Sequence, residues 1–146
     1  MKKKKTTTIA ITLFFMTSFF GNVSAQTYTL ANVAGLWMKT GIYLTHMPEK
    51  FRQTSYKPGC NYIKISADGK CREFLRFPKN SSDKDCYASK MEQEITEECS
   101  VKNNVLIRKK TTTFDIITVN STRLDLRLPN TQDTIQFERV EKILMN

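Results

Sequence analysis

Four short stretches constrain the fold of this chain more than anything else in it: "SADGK" at 66–70, "SVKNN" at 100–104, "VNST" at 119–122 and "PNTQD" at 129–133. Each separates two runs rich in Val, Ile, Thr, Phe or Leu. None is long enough to hold a crossover helix, so the runs it joins must pair antiparallel. In the first, Gly69 supplies the left-handed position of a tight hairpin. The runs predict eight strands, over 35–44, 61–66, 71–77, 91–98, 104–109, 113–118, 123–128 and 134–141. Several alternate in period two, as Leu124, Leu126 and Leu128 do against Arg123, Asp125 and Arg127. Eight antiparallel strands in a meander remove their exposed edges by closing. The reading is therefore all-β, an eight-stranded antiparallel up-and-down barrel, with a flat sandwich as the alternative.

The first 25 residues stand apart from that pattern. Lys2 to Lys5 form a cationic start, "TTTIAITLFFMTSFF" is an apolar stretch, and "VSA" offers small residues ahead of Gln26. This is the pattern of a cleaved secretory signal over 1–25, followed by one domain over 26–146. The strongly apolar run, Ile9 to Phe20, is far short of the ~20 residues of a spanning helix, so no transmembrane segment is expected in the mature chain. The expected location is outside the cytoplasm, periplasmic or secreted. Removing the signal takes four lysines with it and lowers the net charge from +9 to +5.

All four cysteines fall in the mature part, and an even count in an exported chain reads as two disulfides. A zinc site would be the competing use, but the chain has no CxxC pair and His46 is its only histidine, so no metal is expected. Strand order selects the pairing. Cys60 and Cys86 fall at one end of the barrel and Cys71 and Cys99 at the other, about 20 Å away, whereas a disulfide needs Cα atoms about 4.4–6.8 Å apart. Cys60 is therefore expected to pair with Cys86, and Cys71 with Cys99.

In "NVAGLWMKTGIYL" a glycine, one residue and the only tryptophan open the first strand, and "FERV" places an arginine near the end of the last. With a short turn-like lead, "TLANVAG", and seven strands between them, these motifs resemble the lipocalin pattern, and more narrowly small secreted bacterial lipocalin-like proteins of unknown function. The resemblance implies that Trp37, after Gly35, closes the bottom of the barrel and that Arg139 lies across it. The topology alone puts Trp37 and Arg139 at one end on adjacent strands, close enough for the guanidinium to stack on the indole.

With Trp37 at the closed end, alternation assigns the loops. The connections at 45–60, 78–90, 109–112 and 129–133 would form an open rim, and the first two are long enough to be binding loops. The rim candidates are His46, Phe51, Arg52, Tyr56, Lys57, Arg108, Lys109 and Lys110. With Arg108 counted beside the third connection, nine basic residues at the rim face four acidic ones, which points to an anionic ligand or partner. Arg76 depends on register. A three-residue "ADG" loop turns Glu73 and Leu75 inward, whereas a two-residue "DG" turn would send Arg72, Phe74 and Arg76 inside, an arrangement that would resemble fatty-acid carriers, whose interior arginines hold a carboxylate.

The leading functional reading is an exported binding protein for a small, partly apolar or anionic ligand at a basic mouth. The alternative is a ligand-free module that engages another protein through its rim loops. An enzyme is not expected, since Gly-x-Ser-x-Gly, HExxH and a phosphate-binding glycine loop are all absent and the chain holds only five glycines. No cofactor is implied. Nucleic acid is not expected as a partner, because an oligonucleotide-binding barrel has five strands rather than eight.

Overall fold

The computed structural model describes residues 26–143; the expected signal segment, 1–25, lies outside them. The fold is nearly all-β. A single helical turn, α1 (Leu30–Val33), precedes nine strands: β1 (Gly35–Tyr43), β2 (Gln53–Ser55), β3 (Asn61–Ile65), β4 (Lys70–Leu75), β5 (Gln93–Lys102), β6 (Val105–Arg108), β7 (Thr112–Val119), β8 (Arg123–Arg127) and β9 (Thr134–Arg139). From β3 to β9 every strand pairs antiparallel with the next, β1 pairs with β3 on one side, and β1 with β9 closes the ring. Eight strands thus make the barrel.

The ninth, β2, was not legible in the sequence. It pairs with Gly41 to Tyr43, beyond the stretch of β1 that β3 occupies, and fills the edge that β3 leaves open. Its three residues, "QTS", are all exposed, so no apolar alternation marks them. The expected fourth strand also changes: β5 runs on through Cys99 and Val101, and only Asn103 and Asn104 form the turn, with φ of 52° and 61°. Two consecutive left-handed residues are what a type I′ hairpin requires, and asparagine tolerates that conformation better than most residues. Cys99 therefore lies within a strand instead of ending it.

Register settles the fate of β4. Ile65 faces Cys71 and Ile63 faces Glu73, while the Ser66 amide donates to the Lys70 carbonyl at 2.8 Å. The three-residue loop wins, and Cys71 and Glu73 share the inner face with Ile63 and Ile65. The core inside the barrel includes Trp37, Ile63, Ile65, Leu106, Phe114, Ile116, Leu124, Leu126 and Phe137.

One end is closed by Trp37. The indole is fully buried, its Nε1–H donates to the Val33 carbonyl at 2.9 Å, and Val33 is itself buried by α1. Arg139, opposite Trp37 in the β1–β9 ladder, lies over the ring at 4.5 Å and donates to the Ala34 carbonyl at 3.0 Å. Arg139 is itself exposed, so this cation–π contact contributes roughly 0.5–1 kcal/mol. Gly35 lets the guanidinium lie close, since a Cβ there would sit 3.0 Å from the Arg139 guanidinium carbon. The lead is tied down as well, with Asn104 accepting from the Tyr28 amide and donating to the Gln26 carbonyl.

Candidate functional site

The end opposite Trp37 carries the two long connections, and the residues read as rim candidates separate there into distinct groups. On the β1 side the lip is pre-shaped. Arg52 donates through Nε to the Met47 carbonyl at 3.0 Å and through Nη1 to the Tyr43 hydroxyl at 3.4 Å. Phe51, on a short 3₁₀ turn, is 52% exposed, and Tyr43 and Phe77 at the same end are also exposed. Three of the four exposed large apolar side chains among the described residues are therefore at the lip. Tyr56 turns its ring under the Lys39 ammonium, 4.2 Å from the centroid. Lys57 reaches across to the other long connection, donating to the carbonyls of Ser81 and Asp83.

His46 sits beside Asp133, Nδ1 to Oδ1 3.5 Å, with its ring largely in solvent. Burial alone would raise the Asp133 carboxyl. Hydrogen bonds from the Thr45 amide and from the Thr131 and Thr45 hydroxyls outweigh that and hold it below its ordinary value. The result is a carboxylate that clasps the 45–47 turn onto the β8–β9 loop.

Arg108 corrects the expected basic rim. Its side chain points into the barrel, where Nη2 donates to Glu73 at 2.8 Å and Nε to Glu97. Burial would lower the guanidinium, yet the two carboxylates more than offset it and keep the charge fixed. Lys109 and Lys110 depart from the rim for a different reason. Lys70 pairs with Glu98 on one edge of β5 while Arg108 pairs with the adjacent Cys99 on the other, so the β6–β7 turn ends level with the β3–β4 turn. Lys110 lines an outer hollow of about 380 Å³ with Asp68, Lys70 and Glu98. The run "RKK" is thus divided between the interior and the outer wall. What remains at the lip is Lys50, Arg52, Lys57, Lys79, Lys84 and Lys90 against Glu49, Asp83, Asp85 and Asp133, a much weaker positive field than the sequence implied.

The barrel interior has little free space. Beside the Arg108 cluster lies a cavity of about 50 Å³, lined by Lys39, Ile63, Glu73, Phe114, Leu126 and Phe137 among others. That is room for a few waters, whereas small-molecule sites run to about 300–1,000 Å³. Arg108 is paired with both Glu73 and Glu97, while the Lys39 ammonium rests over the Tyr56 ring.

Arg76, the residue after β4, follows Phe74 on the outer side of the sheet and is not in the barrel. The 76–92 connection folds over it and is fastened by the Cys60–Cys86 disulfide, Cα to Cα 4.9 Å, as the topology required. The second expected bridge is not formed. Cys71 and Cys99 are two buried thiols on neighbouring strands, hydrogen-bonded to each other, and burial raises both, Cys71 well above the ordinary thiol range. Glu97, opposite Cys71 and two residues from Cys99, places the Arg108 pair beside them.

The interior ion cluster was the main feature that sequence reasoning missed. The signal was present in "CREFLRF" and "EITEECS", where Glu73 and Glu97 fall in period two with Cys71 and Cys99. No group of three or more His, Cys, Asp or Glu side chains among the described residues is placed to hold a metal ion, and no described helix is long and apolar enough to cross a membrane. The chain matches no protein-family model and no curated protein.

Proposed function

We propose that this protein is an exported β-barrel interaction module, which engages a protein partner through the lip formed by Tyr43, Phe51 and Phe77 and the cations around them. The observation that carries the reading is the contrast between the two places a barrel can bind. The interior offers about 50 Å³ beside an arginine already paired with two carboxylates, while the open end carries three exposed aromatic rings, two of which, Phe51 and Tyr43, adjoin Lys50 and Arg52. Aromatic and arginine side chains dominate the energetics of protein interfaces. Arg52, held by Met47 and Tyr43, would lose little conformational freedom on binding. The sealed Trp37–Arg139 end supports the lipocalin resemblance, with the pocket of a carrier replaced by packing. Loop variation on a fixed barrel is a common way to build such modules.

A photo-crosslinking amino acid placed at position 51, 77 or 117 in exporting cells tests this, because Ile117 is also an exposed apolar residue but lies on the barrel wall. Discrete adducts from 51 and 77 but not from 117 are expected. Equal labelling from all three positions, or a hydrophobic passenger retained in native mass spectrometry of the mature protein, would contradict it.

A further inference from the structure

Among the described residues, the only buried side-chain nitrogen or oxygen atoms without a hydrogen-bond partner are Nε and Nη1 of Arg76. The residue is 3% exposed. A guanidinium stays charged at any physiological pH, and a buried charge without a partner is among the most costly features a fold can retain. No neighbour answers it. Among the described residues no carboxylate lies within ion-pair distance of it. Tyr62 cannot serve as the counterion either: burial and the neighbouring Tyr87 push its hydroxyl up by more than Arg76 draws it down, so it stays a neutral phenol.

The surroundings are built and not incidental. Tyr62 and Phe74 are buried on this outer face, Tyr87 packs so closely on Gly59 that a Cβ there would lie 2.7 Å from its ring, and the Cys60–Cys86 disulfide fixes the far end of the cover. Gly59, at φ +76°, is the residue type that both the conformation and this contact demand. Between Phe77 and Asp85 the cover is held differently, by exposed bonds from the Lys57 ammonium to Ser81 and Asp83. Exposed bonds of this kind open at low cost, so that half of the segment can lift while the disulfide holds the other.

We propose that Arg76 is the anchor of a binding site for a small oxyanion, a phosphate, sulfate or carboxylate group, that enters beneath the 77–85 segment. The planar guanidinium donates in parallel pairs to two-oxygen groups, which favours an oxyanion over a halide. The site is separate from the lip and does not depend on the interaction proposed there.

The test is thermal unfolding of the mature, disulfide-intact protein at fixed ionic strength, with sodium phosphate, sulfate or acetate replacing chloride, for the wild type and Arg76→Met. An anion that binds only the folded state should raise the wild-type midpoint with concentration, by about 4 °C at ten times its dissociation constant, and leave Arg76→Met unmoved. A larger response to phosphate and sulfate assigns the site to tetrahedral anions, and a larger response to acetate assigns it to carboxylates. A saturable shift of the Arg76 Nε–H resonance in ¹⁵N-labelled wild type gives the same answer without a variant. No response in any arm, or an equal rise in the wild type and Arg76→Met, would overturn the proposal.

Discussion

Arg108 and Lys109 are neighbours in sequence with opposite fates, one clamped between Glu73 and Glu97 inside the barrel and the other in a turn on its outside. Removing one partner of this partly buried ion cluster leaves the others uncompensated, at less than the ~3–5 kcal/mol of a fully buried pair because Glu73 keeps some contact with water. Arg108→Gln should therefore lower stability by roughly 2 kcal/mol in denaturant titrations, while Lys109→Gln should change it by less than about 0.5 kcal/mol, as surface substitutions usually do. Near-equal effects would mean that the cluster does not hold the upper interior together. Asp133 acts through pH. Its carboxyl is depressed in the folded state, so the folded protein binds fewer protons there than the unfolded chain does. Its contribution is complete above the ordinary carboxylate value near 3.8 and is lost as the pH falls through the lower, folded one. Urea midpoints measured from pH 7 down to pH 2 should fall less steeply below about pH 4 in Asp133→Asn than in the wild type.

At the scale of elements, the β6–β7 hairpin turns on two lysines with φ of 53° and 63°, and the Thr111 amide closes it onto the Arg108 carbonyl at 3.2 Å. Lysine is a poor choice for two left-handed positions, whereas Asn-Gly is the favoured pair. Lys109→Asn with Lys110→Gly should stabilise the protein by about 1–2 kcal/mol, read as a shift in denaturant midpoint. A loss of stability would show that the lysine side chains make contacts the turn depends on. The cysteines supply a second element-scale outcome. Alkylating the denatured, unreduced protein should add two groups, on Cys71 and Cys99, and none on Cys60 or Cys86. Four unmodified cysteines would show that the buried thiols have oxidised. Most of the elements were legible in advance, because turn chemistry and apolar alternation mark strands such as β3, β7 and β8 clearly. β2 was not, because a three-residue exposed strand has no pattern to read. The inward turn of Arg108 was not either, since in a four-residue strand the face is decided by pairing with β5 and not by the strand's own sequence.

For the whole molecule, closure is what links sequence to use. The β1–β9 ladder brings Trp37 and Arg139 together to seal one end, and the same closed ring directs Glu73, Glu97, Arg108 and Lys39 into the volume that a carrier would leave empty. The stagger between neighbouring strands then moves Lys109 and Lys110 off the rim, a displacement that counting turns by alternation does not reveal. The proposed interaction is accordingly placed on the lip and the loops, on a barrel with about 50 Å³ of free interior. The most direct measurement of that claim is a methyl NMR titration of the mature protein, labelled at Ile and Leu, with dodecanoate as an apolar anionic probe. The methyl groups of Ile63, Leu126 and Ile135, which line the interior cavity, should remain unmoved while any changes stay at the open end. Saturable, one-to-one shifts of those interior methyls would show that the barrel opens to hold a passenger, and the filled-barrel account would fail.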